Sequence, residues 1–297
     1  MPNITLIKKL REETGSPMGD CNKALSECND NYEQAIDWLR KKGLSSASKK
    51  AGRVAAEGVV AIKNYAKKAV ILEVNTETDF VARNDKFQDF VSKLLDSAIN
   101  YQDKEKFISD NEDNVKEQIG LIGENIKIRR IDSLSLDSNG VIVSYIHNKI
   151  NDNLGKIAVI ISLKSDAQES QLNELGKQIA MHIAAAKPDS LNIENIDSKK
   201  LEREVDILSE QAKSSGKPQN IVDKMVEGRI RKYYEEVVLM EQFFVMDDKI
   251  KIKDLLNNFS KNNGTTEIID FKMFILGEGI EKEEDDFAAE VASMTKL

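Results

Sequence analysis

The side chains that most often carry out chemistry in proteins are scarce in this sequence. It has two histidines, His147 and His182, and two cysteines, Cys21 and Cys28. Neither histidine has a neighbouring serine or cysteine at a spacing typical of nucleophilic catalysis. A transition-metal site has few candidate ligands, because both cysteines fall in one short helical region. We therefore expect a protein that is not an enzyme and that carries no metal or other cofactor.

The two histidines are predicted to have different surroundings. His182 lies in a predicted helix rich in Ile and Ala, which favours a buried structural histidine whose hydrogen bonds are satisfied. His147 follows Tyr145 at the end of a predicted strand, which favours an exposed position suited to contact with a partner. No phosphate-binding Gly-x-x-x-x-Gly-Lys-Ser/Thr motif is present, so we expect no nucleotide bound by the chain itself.

Residues 75–84, with the sequence NTETDFVARN, join a predicted apolar strand to a predicted amphipathic helix. Such corners commonly present protruding contact residues. Phe80 precedes Phe87 by seven positions, so a continuous helix would bury both side chains on one face. The polar residues 83–86 instead favour a break that frees Phe80. Periodicity alone leaves both alternatives open.

Composition limits the classes of partner. The chain has 297 residues, 40% hydrophobic and 32% charged, and a net charge of -8, so a soluble globular protein is expected and nucleic acid is a poor default partner. Residues 40–53 form a basic stretch that is interpreted first as a solvated linker and second as an RNA contact. Few cysteines and no long apolar run predict a cytoplasmic protein without a membrane span.

The N-terminal residues predict three short helices. The first ends at Gly15, which suits a left-handed cap. The second begins with Ser16 as a capping hydroxyl and Pro17 at the first helical position. The third stops at Gly43. Three helices of this size are typical of a small binding module.

The central region changes to a strand pattern. Two short apolar runs, 58–62 and 69–75, predict a β-hairpin. A helix follows, with apolar residues at helical spacing: Phe87, Phe90, Val91, Leu94, Leu95 and Ala98. A related plan recurs with strands at 140–145 and 157–163 and a helix through 175–183, which predicts an α+β core made by duplication.

Residues 197–240 predict an antiparallel helical hairpin interrupted near Pro218. Because it lies between strand-forming segments, it should project from the core as an arm. The preferred interpretation of its apolar seam is that the two helices pair with each other. Partner binding and self-association through the seam are the open alternatives. A strand at 268–274 completes the second unit, and an acidic tail ends in a helix with Phe287.

The predicted fold class is α+β, and the chain is divided into five parts. These are a three-helix N-terminal domain (1–44), a linker (45–57), core subdomain N (58–139), core subdomain C (140–277) with the hairpin (197–240) inserted, and a C-terminal acidic helical module (278–297).

Several short sequences, taken together and in order, resemble the elongation factor Ts family. They are TGSPMGDC at 14–21, KAGRVAAEG at 50–58, TDFVAR at 78–83, GENI at 123–126, AMHIA at 180–184, GKP at 216–218, KMVEGR at 224–229 and DFAAEV at 286–291. The matches extend over nearly the whole chain, so together they are far more specific than any one motif.

The resemblance implies a guanine-nucleotide exchange factor for the GTPase elongation factor Tu, acting indirectly on its bound GDP and Mg²⁺. It also implies a ubiquitin-associated-like N-terminal domain and a projecting coiled-coil arm. The residues implied in partner binding are Thr78, Asp79, Phe80 and Val81 at the corner, Arg11, Met18 and Gly19 in the N-terminal domain, His147 in the second subdomain and Phe287 in the tail. The family places the Asp79–Phe80 pair against the GTPase domain, where the ring disturbs the Mg²⁺ and phosphate sites.

The segment after His147, residues 148–156, looks longer than the turn usual in the family and carries Lys156 where Arg is common. Two other functions stay open from the sequence. One is a scaffold or chaperone for a translation factor that does not alter nucleotide binding, and the other is an RNA-binding accessory of translation that uses residues 40–53. Homodimerisation through the core or the hairpin is a further open alternative.

Overall fold

A computed structural model describes residues 2–101, 103–214 and 218–281. The described residues combine helices and strands, which confirms the α+β class. They divide into two compact units. The first contains residues 2–59, 73–130 and 275–281, and the second contains residues 60–72 and the described part of 131–274. The five-part division of the chain stays a prediction.

The first unit is mainly helical. Its helices are α1 (Ile4–Thr14), α2 (Met18–Glu27), α3 (Tyr32–Lys50), α4 (Asp79–Ala82), α5 (Asp85–Ala98), α6 (Lys104–Asp110) and α7 (Glu112–Ile122). The helices of the second unit are α8 (Glu169–Ala186), α9 (Ser198–Lys213), α10 (Gln219–Val237) and α11 (Ile252–Asn263).

The strands of the described residues form three sheets. They are β1 (Glu57–Tyr65), β2 (Lys68–Thr76), β3 (Lys127–Ser135), β4 (Gly140–His147), β5 (Leu154–Gly155), β6 (Ile157–Ser165), β7 (Phe243–Phe244), β8 (Asp247–Lys251) and β9 (Thr266–Ile275). The strand orders are β3-β2-β1-β5, β4-β6-β9 and β7-β8. The β4–β6 pair is antiparallel from Gly140 opposite Lys164 to His147 opposite Ile157.

The first three helices enclose a small core of their own. Asn3 caps α1, because its side chain accepts a hydrogen bond from the Thr5 N–H at 2.8 Å. Gly15 ends the helix with φ of 69°, as predicted. Leu10 and Leu25 are among the fully buried side chains of this core. The three predicted helices are therefore confirmed.

The predicted cap of α2 is wrong. The capping position is held by Pro17, which makes no side-chain cap, and Ser16 lies one residue further out. The Pro17 carbonyl accepts hydrogen bonds from the N–H groups of Asp20 and Cys21 at 2.9 and 3.0 Å, so the helix begins after the proline. Ser16 is instead buried, and its carbonyl accepts from the Cys21 thiol at 3.5 Å.

The predicted stop at Gly43 is also wrong, because α3 continues through it to Lys50. The reason is packing against α7. A Cβ atom placed on Gly120 would lie only 2.8 Å from the Gly43 Cα, so the two backbones approach more closely than side chains would allow. A glycine inside a helix costs about 1 kcal/mol relative to alanine. The close contact of the two helices accounts for the glycine at position 120 of α7.

The second unit is built around the β4-β6-β9 sheet. Helix α8 packs on β4 and β6, and their contact buries Val143, Ile161, Leu175 and Ile179 among others. Helices α9 and α10 both form and pack against each other, with Ala212 and Val222 buried and the Arg229 guanidinium donating to the Gln211 amide oxygen at 2.9 Å.

Several described elements have no counterpart in the sequence prediction: β3, α6, α7, the β7–β8 pair and α11. The predicted tail helix with Phe287 lies outside the described residues. None of the helices in the described ranges combines the length and apolar character that a membrane crossing would need.

Candidate functional site

The strand-to-helix corner contains a break, which settles the alternative that periodicity left open. Helix α4 ends at Ala82, and Asn84 starts α5 by accepting a hydrogen bond from the Lys86 N–H at 3.0 Å. Phe87 on α5 is fully buried, whereas Phe80 on α4 is 81% exposed. Phe80 is therefore not part of the core formed by α5.

The residues on either side of Phe80 differ sharply in exposure. Val81 and Ala82 are buried and anchor α4 to its own unit, so Val81 offers little surface to a partner. The Asp79 side chain is 47% exposed and lies 3.6 Å from the Arg83 guanidinium. The corner thus presents an acidic group and an aromatic ring side by side to solvent.

The corner is held by carboxylates on both sides. Glu124 accepts two hydrogen bonds from Thr78, one from its N–H at 2.9 Å and one from its hydroxyl at 2.6 Å. Glu77 accepts from the Asn125 N–H at 2.6 Å and pairs with Arg53 at 3.3 Å. Each of the two segments, 77–78 and 124–125, therefore both donates hydrogen bonds to the other and accepts them from it.

A further acidic residue, Glu73, organises the strand that leads into the corner. Glu73 on β2 is completely buried and is paired with Arg129 at 3.0 Å and Arg130 at 2.5 Å. It also accepts the Gly277 N–H at 2.9 Å, and Arg130 reaches the Glu278 carboxylate at 3.1 Å. The cluster fixes the chain at residues 277–278, where the described part of the chain nears its end.

The N-terminal residues assigned to partner binding are all accessible. Arg11 lies in the last turn of α1, and Met18 and Gly19 open α2. All three are exposed, and Met18 is 40% exposed. They flank the turn at Gly15, so the structure places them at one end of the three-helix core. Burial raises the pKa of the nearby Cys21 thiol.

His147 is exposed at the end of β4, as predicted. The Tyr145 hydroxyl lies 3.1 Å from its Nδ1 atom. The segment that follows folds back onto the second unit, because the Lys156 N–H donates to the His147 carbonyl at 3.2 Å and β5 pairs with β1 through Leu154 and Gly155. These residues thus support the end of β4 and leave His147 accessible.

His182 is fully buried and has both ring nitrogens engaged. The Val245 N–H donates to Nδ1 at 3.2 Å, so Nε2 carries the proton and donates to the Gln242 amide oxygen at 2.9 Å. Burial lowers the pKa of His182, against the opposing effect of the Gln242 hydrogen bond. The interpretation of His182 as a structural histidine with satisfied hydrogen bonds is confirmed.

The basic stretch at 40–53 is partly used within the first unit. Lys42 pairs with Asp20, and Lys50 donates to the Gly123 carbonyl at 2.5 Å. Across the described ranges, no group of three or more His, Cys, Asp or Glu side chains is arranged to hold a metal ion.

Comparisons with known proteins agree with the resemblance in the sequence. A model of the family described as "Elongation factor TS" matches residues 77–278. The chain belongs to the elongation factor Ts family. It is 50% identical over 302 residues to the elongation factor Ts of Rhodospirillum centenum, with 98% of each chain covered. It is 49% identical over 309 residues to that of Rhodospirillum rubrum, with both chains fully covered. It is also 51% identical over 305 residues to that of Paramagnetospirillum magneticum, covering 99% of this chain and 97% of the relative.

Sequence reasoning missed one residue of the elongation factor Ts corner, Glu124. It belongs to the GENI motif that carries the resemblance, but no local pattern assigns it a partner. Its contact, Thr78, lies 46 positions earlier in the chain. A polar residue next to the left-handed cap Gly123 is the only local signal, and that signal alone is common to many helix ends.

Proposed function

We propose that this elongation factor Ts family member is a guanine-nucleotide exchange factor. It binds elongation factor Tu in its GDP form and promotes GDP release by disturbing the Mg²⁺ and phosphate site during translation elongation. Family membership supports the partner and the exchange role. The exchange makes and breaks no covalent bond, so the protein is not an enzyme. It acts in the cytoplasm and needs neither a membrane nor direct contact with nucleic acid.

The observation that carries the proposal is the exposure of Phe80. A phenylalanine that is 81% exposed leaves most of its ring in water. Burying such a side chain is worth about 1.5–3 kcal/mol, so its ring gains most when a partner provides an apolar pocket. Buried Val81 and Ala82 keep α4 in place while the ring enters that pocket.

The neighbouring acid supplies the electrostatic part of the mechanism. Asp79 is exposed next to the ring, with Arg83 3.6 Å away. Mg²⁺ prefers oxygen ligands in a near-ideal octahedron and is bound through substrate phosphates. A ring that enters the nucleotide-binding domain displaces groups around this octahedron, and a carboxylate beside it competes for the same positive charge. Both effects weaken GDP binding.

Exchange is a linkage between two ligands of the GTPase. If the factor weakens GDP binding by a given ratio, GDP weakens factor binding by the same ratio. A thousandfold effect corresponds to roughly 4 kcal/mol of coupling free energy. The burial of one aromatic ring together with loss of the Mg²⁺ contacts is of that order.

Further contacts are proposed at the remaining assigned residues. Arg11, Met18 and Gly19 are accessible at one end of the three-helix core and suit docking of the GTPase. His147 is accessible at the end of β4 and suits a contact in the second unit. Phe287 is proposed as a contact of the C-terminal module.

The test is the release of fluorescent GDP from elongation factor Tu, with and without each variant of this protein. Phe80→Ala is expected to slow the stimulated release several-fold or more, because it removes the ring and keeps the backbone. Phe243→Ala is the matched control, since Phe243 is 46% exposed in β7 and is not among the residues assigned to partner binding.

Two outcomes contradict the proposal. If the unaltered protein binds elongation factor Tu and leaves the GDP release rate unchanged, the protein is a scaffold or chaperone. If Phe80→Ala and Phe243→Ala stimulate release equally, exchange does not depend on the exposed ring.

A further inference from the structure

The orientation of Phe80 depends on very little structure of its own. Helix α4 has four residues, far fewer than a helix needs to be stable alone. With 81% of its surface exposed, the Phe80 side chain has few contacts that could fix its direction. The orientation of the ring is therefore set by the backbone at residues 78–80, and the contacts that hold this backbone also determine the direction of the ring.

Thr78, the residue that caps α4, is held at three points. Its N–H and its hydroxyl both donate to the carboxylate of Glu124, at 2.9 and 2.6 Å. Its carbonyl accepts from the Thr76 hydroxyl at 2.9 Å. A threonine at this position commonly turns its own oxygen to the helix backbone, but here it makes no such cap. The hydroxyl instead donates to the Glu124 carboxylate, which also accepts the Thr78 N–H, so Glu124 holds the residue from which α4 begins.

Glu124 is itself rigidly placed. It follows Gly123, the left-handed cap of α7, whose carbonyl accepts from Lys50 at 2.5 Å. The next residue, Asn125, is buried, donates its N–H to Glu77 at 2.6 Å and donates its side-chain amide to the Arg53 carbonyl at 2.8 Å. Ile126 is only 2% exposed. The carboxylate thus reaches Thr78 from a loop that is anchored on both sides.

The geometry points to Glu124 as a positioning residue for nucleotide exchange. It fixes the backbone at Thr78 and so holds Phe80 and Asp79 in the orientation that enters the GTPase. This inference rests on the proposed exchange function and adds to it a residue that does not touch the partner. A carboxylate is needed because two donors must be accepted at once, one by each oxygen.

The experiment separates positioning from general stability with a double-mutant cycle. GDP release from elongation factor Tu is measured over a range of factor concentrations for the unaltered protein, Glu124→Ala, Phe80→Ala and the double variant. Glu124→Ala is expected to lower the maximal release rate about tenfold, equivalent to about 1.4 kcal/mol. In the Phe80→Ala background the same change is expected to have a smaller effect than in the unaltered background, because Phe80, one of the two groups that Glu124 positions, is already absent.

Milder variants keep the test decisive if Glu124→Ala folds poorly. Glu124→Gln retains one acceptor oxygen, and Thr78→Val removes only the hydroxyl donor, so both are expected to give intermediate maximal rates. Glu112→Gln is the control, because Glu112 is an exposed carboxylate of α7 paired only with Lys116 among the described contacts. It is expected to match the unaltered protein.

The outcomes distinguish this inference from the exchange function. Multiplicative effects of Glu124→Ala and Phe80→Ala, or an unchanged maximal rate in Glu124→Ala, would overturn the positioning role while exchange stands. A change only in the concentration needed for half-maximal stimulation would also overturn it. If the unaltered protein fails to stimulate GDP release, the exchange function and the positioning role are both rejected.

Discussion

The close crossing of α3 and α7 makes opposite predictions for two glycines. A Cβ added at Gly43 meets only the Gly120 Cα at 3.7 Å, an ordinary contact distance. A Cβ added at Gly120 lies 2.8 Å from the Gly43 Cα, and that neighbour is backbone, which cannot rotate away. The same substitution, Gly→Ala, is therefore acceptable at one position and overpacked at the other.

The magnitudes follow from two opposing terms. Replacing glycine by alanine inside a helix favours folding by about 1 kcal/mol at either position. Overpacking a close contact costs typically 1–3 kcal/mol, and this cost applies at Gly120 alone. We expect Gly43→Ala to raise the free energy of unfolding by up to about 1 kcal/mol. We expect Gly120→Ala to lower it by up to about 2 kcal/mol.

The chain provides its own probe for this measurement. Trp38 is the single tryptophan, and it lies on α3 in the same helix as Gly43. Urea unfolding followed by tryptophan fluorescence therefore reports on the helix whose packing is changed. The difference between the two variants is expected to be about 1–3 kcal/mol. If the two variants unfold at the same urea concentration, or if Gly43→Ala is less stable than Gly120→Ala, then backbone crowding is not the reason for glycine at this crossing.

Two further predictions concern buried ionisable groups. Burial lowers the pKa of His182 from its ordinary value of 6.5. Below about pH 6.5 the unfolded chain therefore binds a proton at this residue that the folded chain does not bind. As the pH is lowered through this range, the free energy of unfolding should fall by at most about 1.4 kcal/mol per pH unit. In His182→Asn, the free energy of unfolding measured by urea titration should depend less on pH between about pH 7.5 and 5.5. The same pH dependence in the variant and the unaltered protein would contradict this prediction. Glu73→Gln should lower the free energy of unfolding by about 3 kcal/mol, because it removes the buried negative charge that Arg129 and Arg130 share. Glu112→Gln, which breaks an exposed pair, should cost less than about 1 kcal/mol in the same urea experiment, and similar losses for both variants would count against the prediction.

Local sequence patterns predicted the elements whose signals are local. Helix α5 illustrates this, since the six apolar residues that defined its face are all buried. The break before it was also signalled, by the polar residues 83–86, although periodicity could not decide for it. The exposure of Phe80 follows from that break.

The errors arose where tertiary contacts outweighed a local signal. Gly43 was predicted to stop a helix, but α3 continues through it and packs against α7 at Gly120, which lies 77 positions later in the sequence. Ser16 has the form of a cap, but the helix begins after Pro17. Glu124 could not be assigned for the same reason, because its partner Thr78 is distant in sequence and the pairing exists only in the folded chain.

The two-residue strand β5 has a consequence for the behaviour of the protein at high concentration. The outer side of β1 would otherwise offer its backbone groups to the strand of another molecule, the usual route to edge-to-edge aggregation. Leu154 and Gly155 occupy that side opposite Ala61 and Val60, and the Ile62 N–H donates to the Asn153 carbonyl at 2.9 Å. A strand this short shields its neighbour and presents almost no new edge of its own. The segment after His147 thus covers this part of the β1 edge and leaves it unable to pair with a strand of another molecule.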